Sequence, residues 1–227
     1  MNEYNAKQDI KFIREVLNKT QLDISGIGMC FIWIGMVNLF GEVLKNMGYV
    51  FMNTQEQVSG IQWKMLRSID SISFMLICVI LFIYFRKLFR GGNDISKSIL
   101  KIWAVLLIGG KVFTKLFVNL ALQEQTGVTG EFAATLGKAF SFLYVIVALT
   151  VLGIMIHDKL ICKGALLGII VYCLLLSWGQ GVTVAQIHGN AVNMYSYDMF
   201  SVFVLSFGMI LLGLYTRISG RKKRGNS

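Results

Sequence analysis

The chain has 227 residues, of which 55% are hydrophobic and only 15% are charged. Soluble domains carry about 25% charged residues, so this composition excludes an ordinary soluble protein and indicates an integral membrane protein. The net charge of +10 does not indicate nucleic acid as a partner, because the basic residues flank apolar segments and there suit anionic lipid headgroups.

The first 23 residues form a polar segment ahead of the first apolar run. This segment shows no short apolar region with a small-residue cleavage site, so we expect the first membrane span to remain as an anchor. Ile10, Ile13 and Leu17 recur at helical spacing among charged residues, which predicts an amphipathic helix within 1–23. Such a helix lies on the cytoplasmic membrane surface or docks a soluble partner.

Six apolar segments are long enough to cross a hydrocarbon core of about 30 Å. We therefore predict an all-α bundle of six transmembrane helices over residues 24–216, followed by a basic cytoplasmic tail, 217–227. A very short His-Asp-Lys turn joins the fourth and fifth spans into an antiparallel hairpin. The predicted spans are Ile24–Leu44, Ile69–Phe85, Ile99–Leu122, Phe140–Ile156, Leu160–Trp178 and Tyr197–Tyr215.

Lysine and arginine are unevenly distributed between the two sides of this predicted bundle. Most of the 22 basic residues lie in the N-terminal segment, the loops after the second and fourth spans, and the tail. Cytoplasmic segments are enriched in lysine and arginine. The pattern therefore predicts a multi-pass protein of the cell membrane with both termini in the cytoplasm.

Two lysines, Lys111 and Lys115, interrupt the third predicted span. At 100° per residue they share one face with Lys97, Lys101 and Asn119. A lysine at the centre of a membrane helix costs about 2.5–3.5 kcal/mol on insertion scales, so we expect this face to point into the bundle or a wet crevice. The opposite face, which suits contact with lipid, holds Ile99, Trp103, Leu106, Phe113 and Phe117.

The first span offers a partner for these lysines. Asn38 and Glu42 share a face with Gly28 and Gly35, and small residues let a second helix approach closely. One interpretation is a Glu42–Lys115 ion pair that only fixes helix packing. The other is an ionisable, ligand-binding site inside the membrane, formed by Lys111, Lys115, Glu42, Asn38 and Asn119.

Gly109 and Gly110 stand directly before Lys111. They permit either close helix packing or a local helix break, and the N-terminus exposed by a break attracts anions. The second interpretation predicts a small anionic ligand, as in transporters with broken helices. Asp70 and Asp198 begin the second and sixth spans and are expected to be interfacial or capping residues, or further members of the same cluster.

No residue pattern indicates enzymatic catalysis, a metal site or a cofactor. His157 and His188 are predicted on opposite sides of the membrane, no zinc, P-loop or nucleophile-elbow spacing occurs, and the four cysteines form no C-x-x-C pair. Gly164 and Gly168 form a G-x-x-x-G pattern, which predicts a close helix contact.

Two functional hypotheses therefore lead, and a membrane-embedded enzyme ranks third because no nucleophile–base or metal constellation is visible. The first is a small transporter, or the substrate-binding membrane subunit of one, with its site at the intramembrane lysines. The second is a non-catalytic membrane partner or sensor that docks a cytoplasmic protein through its N-terminal helix and basic tail. A co-purifying anion, lipid or partner subunit would distinguish them.

Overall fold

The computed structural model describes residues 25–53, 60–91, 94–123, 130–179, 181–187 and 190–225. The predicted amphipathic segment, 1–23, lies outside the described residues. The elements in chain order are α1 (Ser25–Asn53), α2 (Gly60–Gly91), α3 (Asp94–Gln123), α4 (Gly130–Ile156), α5 (Lys159–Trp178), β1 (Gly181–Ile187), β2 (Asn190–Tyr195), α6 (Ser196–Phe203), a π-helical turn (Val204–Gly208) and α7 (Met209–Gly225).

Several of these helices are long and apolar enough to cross a membrane, which confirms the predicted helical membrane bundle in its general form. Within the described residues there are five such segments: Gly26–Met52, Gly60–Arg90, Ala139–Ile156, Lys159–Trp178 and Ser196–Ser219. The third predicted span lies in α3, which is not among the five and which carries four lysines. The count of six spans stays a prediction.

The core of the bundle forms around α1. Its apolar residues Ile27, Phe31 and Ile34 are fully buried, because they recur at a spacing that places them on one helical face. Phe31 packs against Trp103 of α3 with ring centroids 4.7 Å apart. Around this core α1 contacts α2, α7, the π-helical turn and β1.

The predicted hairpin of the fourth and fifth spans is confirmed. α4 ends at Ile156, His157 takes a left-handed conformation with φ 56°, and Asp158 caps α5 by accepting hydrogen bonds from the backbone N–H groups of Leu160 and Ile161. The Tyr215 hydroxyl donates to the same Asp158 carboxylate at 2.6 Å. This turn therefore ties α7 to the end of the hairpin.

The segment between α5 and α6 forms a β-hairpin. β1 and β2 pair antiparallel from Gly181 opposite Tyr195 to Ile187 opposite Asn190, with an irregularity between Thr183 and Ala185. The valine and threonine residues of the segment favour strands. The hairpin leads directly into α6, because β2 ends at Tyr195 and α6 begins at Ser196 without an intervening loop.

Candidate functional site

The small-residue face of α1 is occupied by the last helix. A Cβ atom built at Gly28 would lie 2.6 Å from the carbonyl oxygen of Gly213, and one at Gly35 would lie 2.6 Å from that of Ser206. Only glycine allows the two backbones to come this close. The predicted close approach is confirmed, and the helix that approaches is α7 with its preceding π-helical turn.

Asn38, a predicted site residue, lies on the same interface. Its side-chain amide donates a long hydrogen bond of 3.4 Å to the carbonyl oxygen of Leu205, within the π-helical turn. A π-helical turn contains an additional residue and leaves its backbone bonds irregular, so a side-chain donor there helps to satisfy a carbonyl. The described hydrogen bond of Asn38 therefore joins α1 to the last helical segment.

Glu42 belongs to a three-residue ion-pair cluster that joins α1 to α2. The Lys45 amine lies 3.0 Å from the Asp70 carboxylate and 3.7 Å from that of Glu42. The side chain of Asp70 is 61% exposed. Sequence reasoning named Glu42 and Asp70 without pairing them, although the i,i+3 spacing of Glu42 and Lys45 is a usual signal for such a contact.

The lipid-facing orientation predicted for α3 is wrong in its first turns, whereas Phe113, on the same predicted face, is 47% exposed as expected. Ile99 and Trp103, assigned to the lipid face, are each only 1% exposed, whereas Lys101 and Lys111 are exposed. The reason is the large apolar area of Trp103, whose burial against Phe31 decides which face of the helix turns inward.

Lys111 therefore lies on the outer surface of the described bundle. At a rise of 1.5 Å per residue it is about 26 Å from the start of α3 and about 18 Å from its end. Within the described part of the chain it has no ion-pair partner. Of the two alternatives for Gly109 and Gly110, the helix break does not occur, since α3 is continuous. Gly110 instead packs closely against Tyr144 of α4, and Gly109 faces open space.

The side chains of Lys115 and Asn119 lie outside the described part of the structure. The Glu42–Lys115 pair consequently stays a prediction. In the described part of the chain, Glu42 forms an ion pair with Lys45, and Asn38 forms a hydrogen bond with the last helical segment. Neither contact involves Lys111, so the described part of the predicted five-residue site divides between two surfaces of the bundle.

A buried polar and aromatic cluster lies between α4, α5 and α6, and sequence reasoning missed it. Tyr172 stacks on Phe142 with centroids 4.3 Å apart and meets Tyr197 edge-on at 6.2 Å. Asp198, in the first turn of α6, is only 5% exposed. The hydroxyls of Tyr172 and Ser196 are buried without a hydrogen-bond partner among the described residues.

The signal for this cluster in the sequence was weak. Tyrosine and aspartate near the start of the last span are typical of membrane–water interfaces, and nothing in their spacing pairs them with the fifth span. Comparisons with protein-family models, with curated proteins and with solved structures gave no match.

Proposed function

We propose that this chain is a non-catalytic subunit of a membrane protein complex, which binds a transmembrane helix of a partner protein through the outward face of α3. The observation that carries this proposal is the exposed Lys111, far from both ends of α3 and without an ion-pair partner in the described part of the chain. A lysine facing lipid at such a depth is costly, so intramembrane lysines usually find a protein partner or water.

The exposed surface of α3 beside the lysine face suits a helix in shape. Val105 is 69% exposed and Val112 is also exposed, and Gly109 between them has nothing within 4 Å of its Cβ position. Small and β-branched side chains form a flat surface on which a second transmembrane helix packs closely. This surface therefore offers van der Waals contact beside the face that carries the exposed Lys101 and Lys111.

Charge complementarity defines the partner. An aspartate or glutamate at the depth of Lys111 would neutralise the lysine, and such a pair replaces an unfavourable exposure to lipid. We assign the occupant to another protein and not to a second copy of this chain. Among the described acidic residues at the outer end of the predicted bundle, Asp70 is the most exposed. It already pairs with Lys45.

Site-specific photo-crosslinking in cells tests this proposal. A photoreactive amino acid at Val105 or Val112 on α3 is compared with the same residue at Leu166 or Ile170, which are exposed aliphatic positions on α5. We expect a discrete protein adduct from α3 and only lipid adducts from α5. Lipid adducts alone at all four positions would refute the proposal, and an adduct between two copies of this chain would replace the partner protein with self-association.

Substitution of Lys111 separates the role of its charge from that of the surrounding surface. Lys111→Met should reduce the yield of the α3 adduct severalfold, whereas Lys111→Arg should preserve it, because the arginine keeps the positive charge. An unchanged yield in Lys111→Met would show that the lysine does not contribute to partner binding. Equal amounts of folded protein in the membrane fraction provide the control for both variants.

A small transporter is the second candidate, and the buried cluster around Asp198 favours it. A buried carboxylate next to Tyr197 in the first turn of α6 suits a proton or a small organic cation. The small anion expected from the lysine stretch has less support, since Gly109 and Gly110 do not interrupt α3. Stabilisation of the purified protein by tetramethylammonium, absent in Asp198→Asn, would favour this candidate; equal melting temperatures with and without the cation would argue against it.

A further inference from the structure

A groove lies along the end of α2 that is predicted to face the cytoplasm. It has a volume of about 480 Å³ and is lined by Phe82, Ile83, Arg86, Lys87 and Arg90. Spacings of four residues place Phe82, Arg86 and Arg90 in one row along the helix, with Ile83 and Lys87 in the adjacent row. The apolar members lie deeper in the predicted membrane, and the three basic members lie towards its surface.

The start of α3 adds two more cations beside this groove. The amines of Lys97 and Lys101 lie 5.8 Å and 5.5 Å from the centre of the Phe89 ring. These cation–π contacts hold the basic start of α3 against the end of α2. Because none of the described residues that line the groove is acidic, the local charge among them is strongly positive.

We propose that this groove is a binding site for one anionic phospholipid. The phosphate of the headgroup is bound by Arg86, Lys87 and Arg90, and the adjoining acyl chain lies along Phe82 and Ile83. Arginine side chains donate paired hydrogen bonds to phosphate oxygens.

The length of the groove along α2 matches the dimensions of a lipid. At 1.5 Å per residue, Phe82 lies about 12 Å deeper than Arg90 along the helix, which spans the distance from a headgroup to the upper part of an acyl chain. This inference is independent of the partner proposed for α3.

Lipid titration of the full-length protein, followed by native mass spectrometry, tests the site. The protein in a neutral detergent is titrated with phosphatidylglycerol and, separately, with phosphatidylcholine. The triple variant Arg86→Gln, Lys87→Gln, Arg90→Gln is compared with Lys222→Gln, Lys223→Gln, Arg224→Gln, which removes the same charge from the C-terminal tail. We expect the groove variant to bind phosphatidylglycerol about tenfold or more weakly, and the tail variant to stay within about twofold of the unmodified protein.

Two results would overturn the proposal. Equal losses in both triple variants would mean that binding depends on total charge and not on the groove, and equal affinity for the two lipids would mean that the headgroup charge is irrelevant. Glycerol 3-phosphate distinguishes a lipid from a free phosphate: it should not displace phosphatidylglycerol, and full displacement at comparable concentration would refute the role of the acyl chain.

A second variant covers the case in which the triple variant does not fold. Phe82→Ala combined with Ile83→Ala leaves every charge in place and should weaken binding of long-chain phosphatidylglycerol more than that of a short-chain form. An equal effect on both chain lengths would contradict the acyl-chain contact. A photoreactive phosphatidylglycerol bound to the unmodified protein should label the segment 82–90, and labelling only elsewhere would place the lipid at another site.

Discussion

The interface between α1 and α7 predicts a large difference between two chemically identical substitutions. Gly28→Ala adds one methyl group where a Cβ would lie 2.6 Å from the Gly213 carbonyl oxygen and 2.7 Å from the Thr216 hydroxyl. Gly164→Ala adds the same group on α5, where nothing lies within 4 Å. The two variants share composition and helical setting, so they differ only in the space available to the methyl group.

The magnitude follows from the distances. Ordinary contact begins near 3.4 Å, so the helices must separate by roughly 0.8 Å, and overpacking of this kind costs about 1–3 kcal/mol. We expect Gly28→Ala to lower the free energy of unfolding by that amount. Gly164→Ala should stay within about 0.5 kcal/mol of the unmodified protein, as substitutions in open positions do.

Unfolding by sodium dodecyl sulphate in mixed micelles, followed by tryptophan fluorescence, measures both values. The double variant Gly28→Ala, Gly213→Ala adds an internal check, since each glycine faces the carbonyl oxygen of the other. Once the first methyl group has separated the helices, the second should cost less. The loss of unfolding free energy in the double variant should therefore be smaller than the sum of the two single losses by about 0.5 kcal/mol or more. Equal stability of Gly28→Ala and Gly164→Ala would refute the close packing of these helices.

Three further predictions concern stability and are measured by the same unfolding assay. Phe31→Ala removes the ring that packs on Trp103 and should cost about 3–5 kcal/mol; a loss below about 1 kcal/mol would contradict a central role for this contact. Asp158→Ala removes the cap of α5 and should cost about 1 kcal/mol, whereas Asp158→Asn should retain most of the capping; equal losses would argue against capping. Lys45→Met and Asp70→Asn, combined in a double-mutant cycle, should couple by about 0.2–1 kcal/mol because the pair is partly exposed, and a coupling of several kcal/mol would mean that it is buried.

The helices and the short turn could be predicted because local features of the chain determine them. Long apolar runs require a helix in a membrane, since every backbone group must find a hydrogen-bond partner within its own segment. The turn between α4 and α5 was predicted from its length alone. The glycines of α1 likewise indicated a close helix contact. The G-x-x-x-G pattern of α5 did so only in part, since Gly168 faces Ile146 whereas Gly164 has nothing within 4 Å.

The spatial arrangement of the helices could not be predicted by the same reasoning. The periodicity of α1 shows that Gly28 and Gly35 share a face but does not name the neighbouring helix, and that neighbour is distant in the chain. For α3, the lysines and Trp103 favoured opposite orientations, and the apolar contact with Phe31 determined the observed one. The cluster around Asp198 depends on three helices and leaves no periodic signal in any single one.

The π-helical turn, Val204–Gly208, determines which face of the last membrane segment points towards α1. Its additional residue rotates everything after it by about 100° relative to an uninterrupted α-helix. Before the turn, α6 therefore faces α5 and the aromatic cluster, and after it α7 faces α1. Deletion of one residue there would leave the hydropathy almost unchanged but turn Gly213 away from Gly28. When related sequences are aligned, a one-residue gap in this segment should be interpreted as a change of helix neighbour.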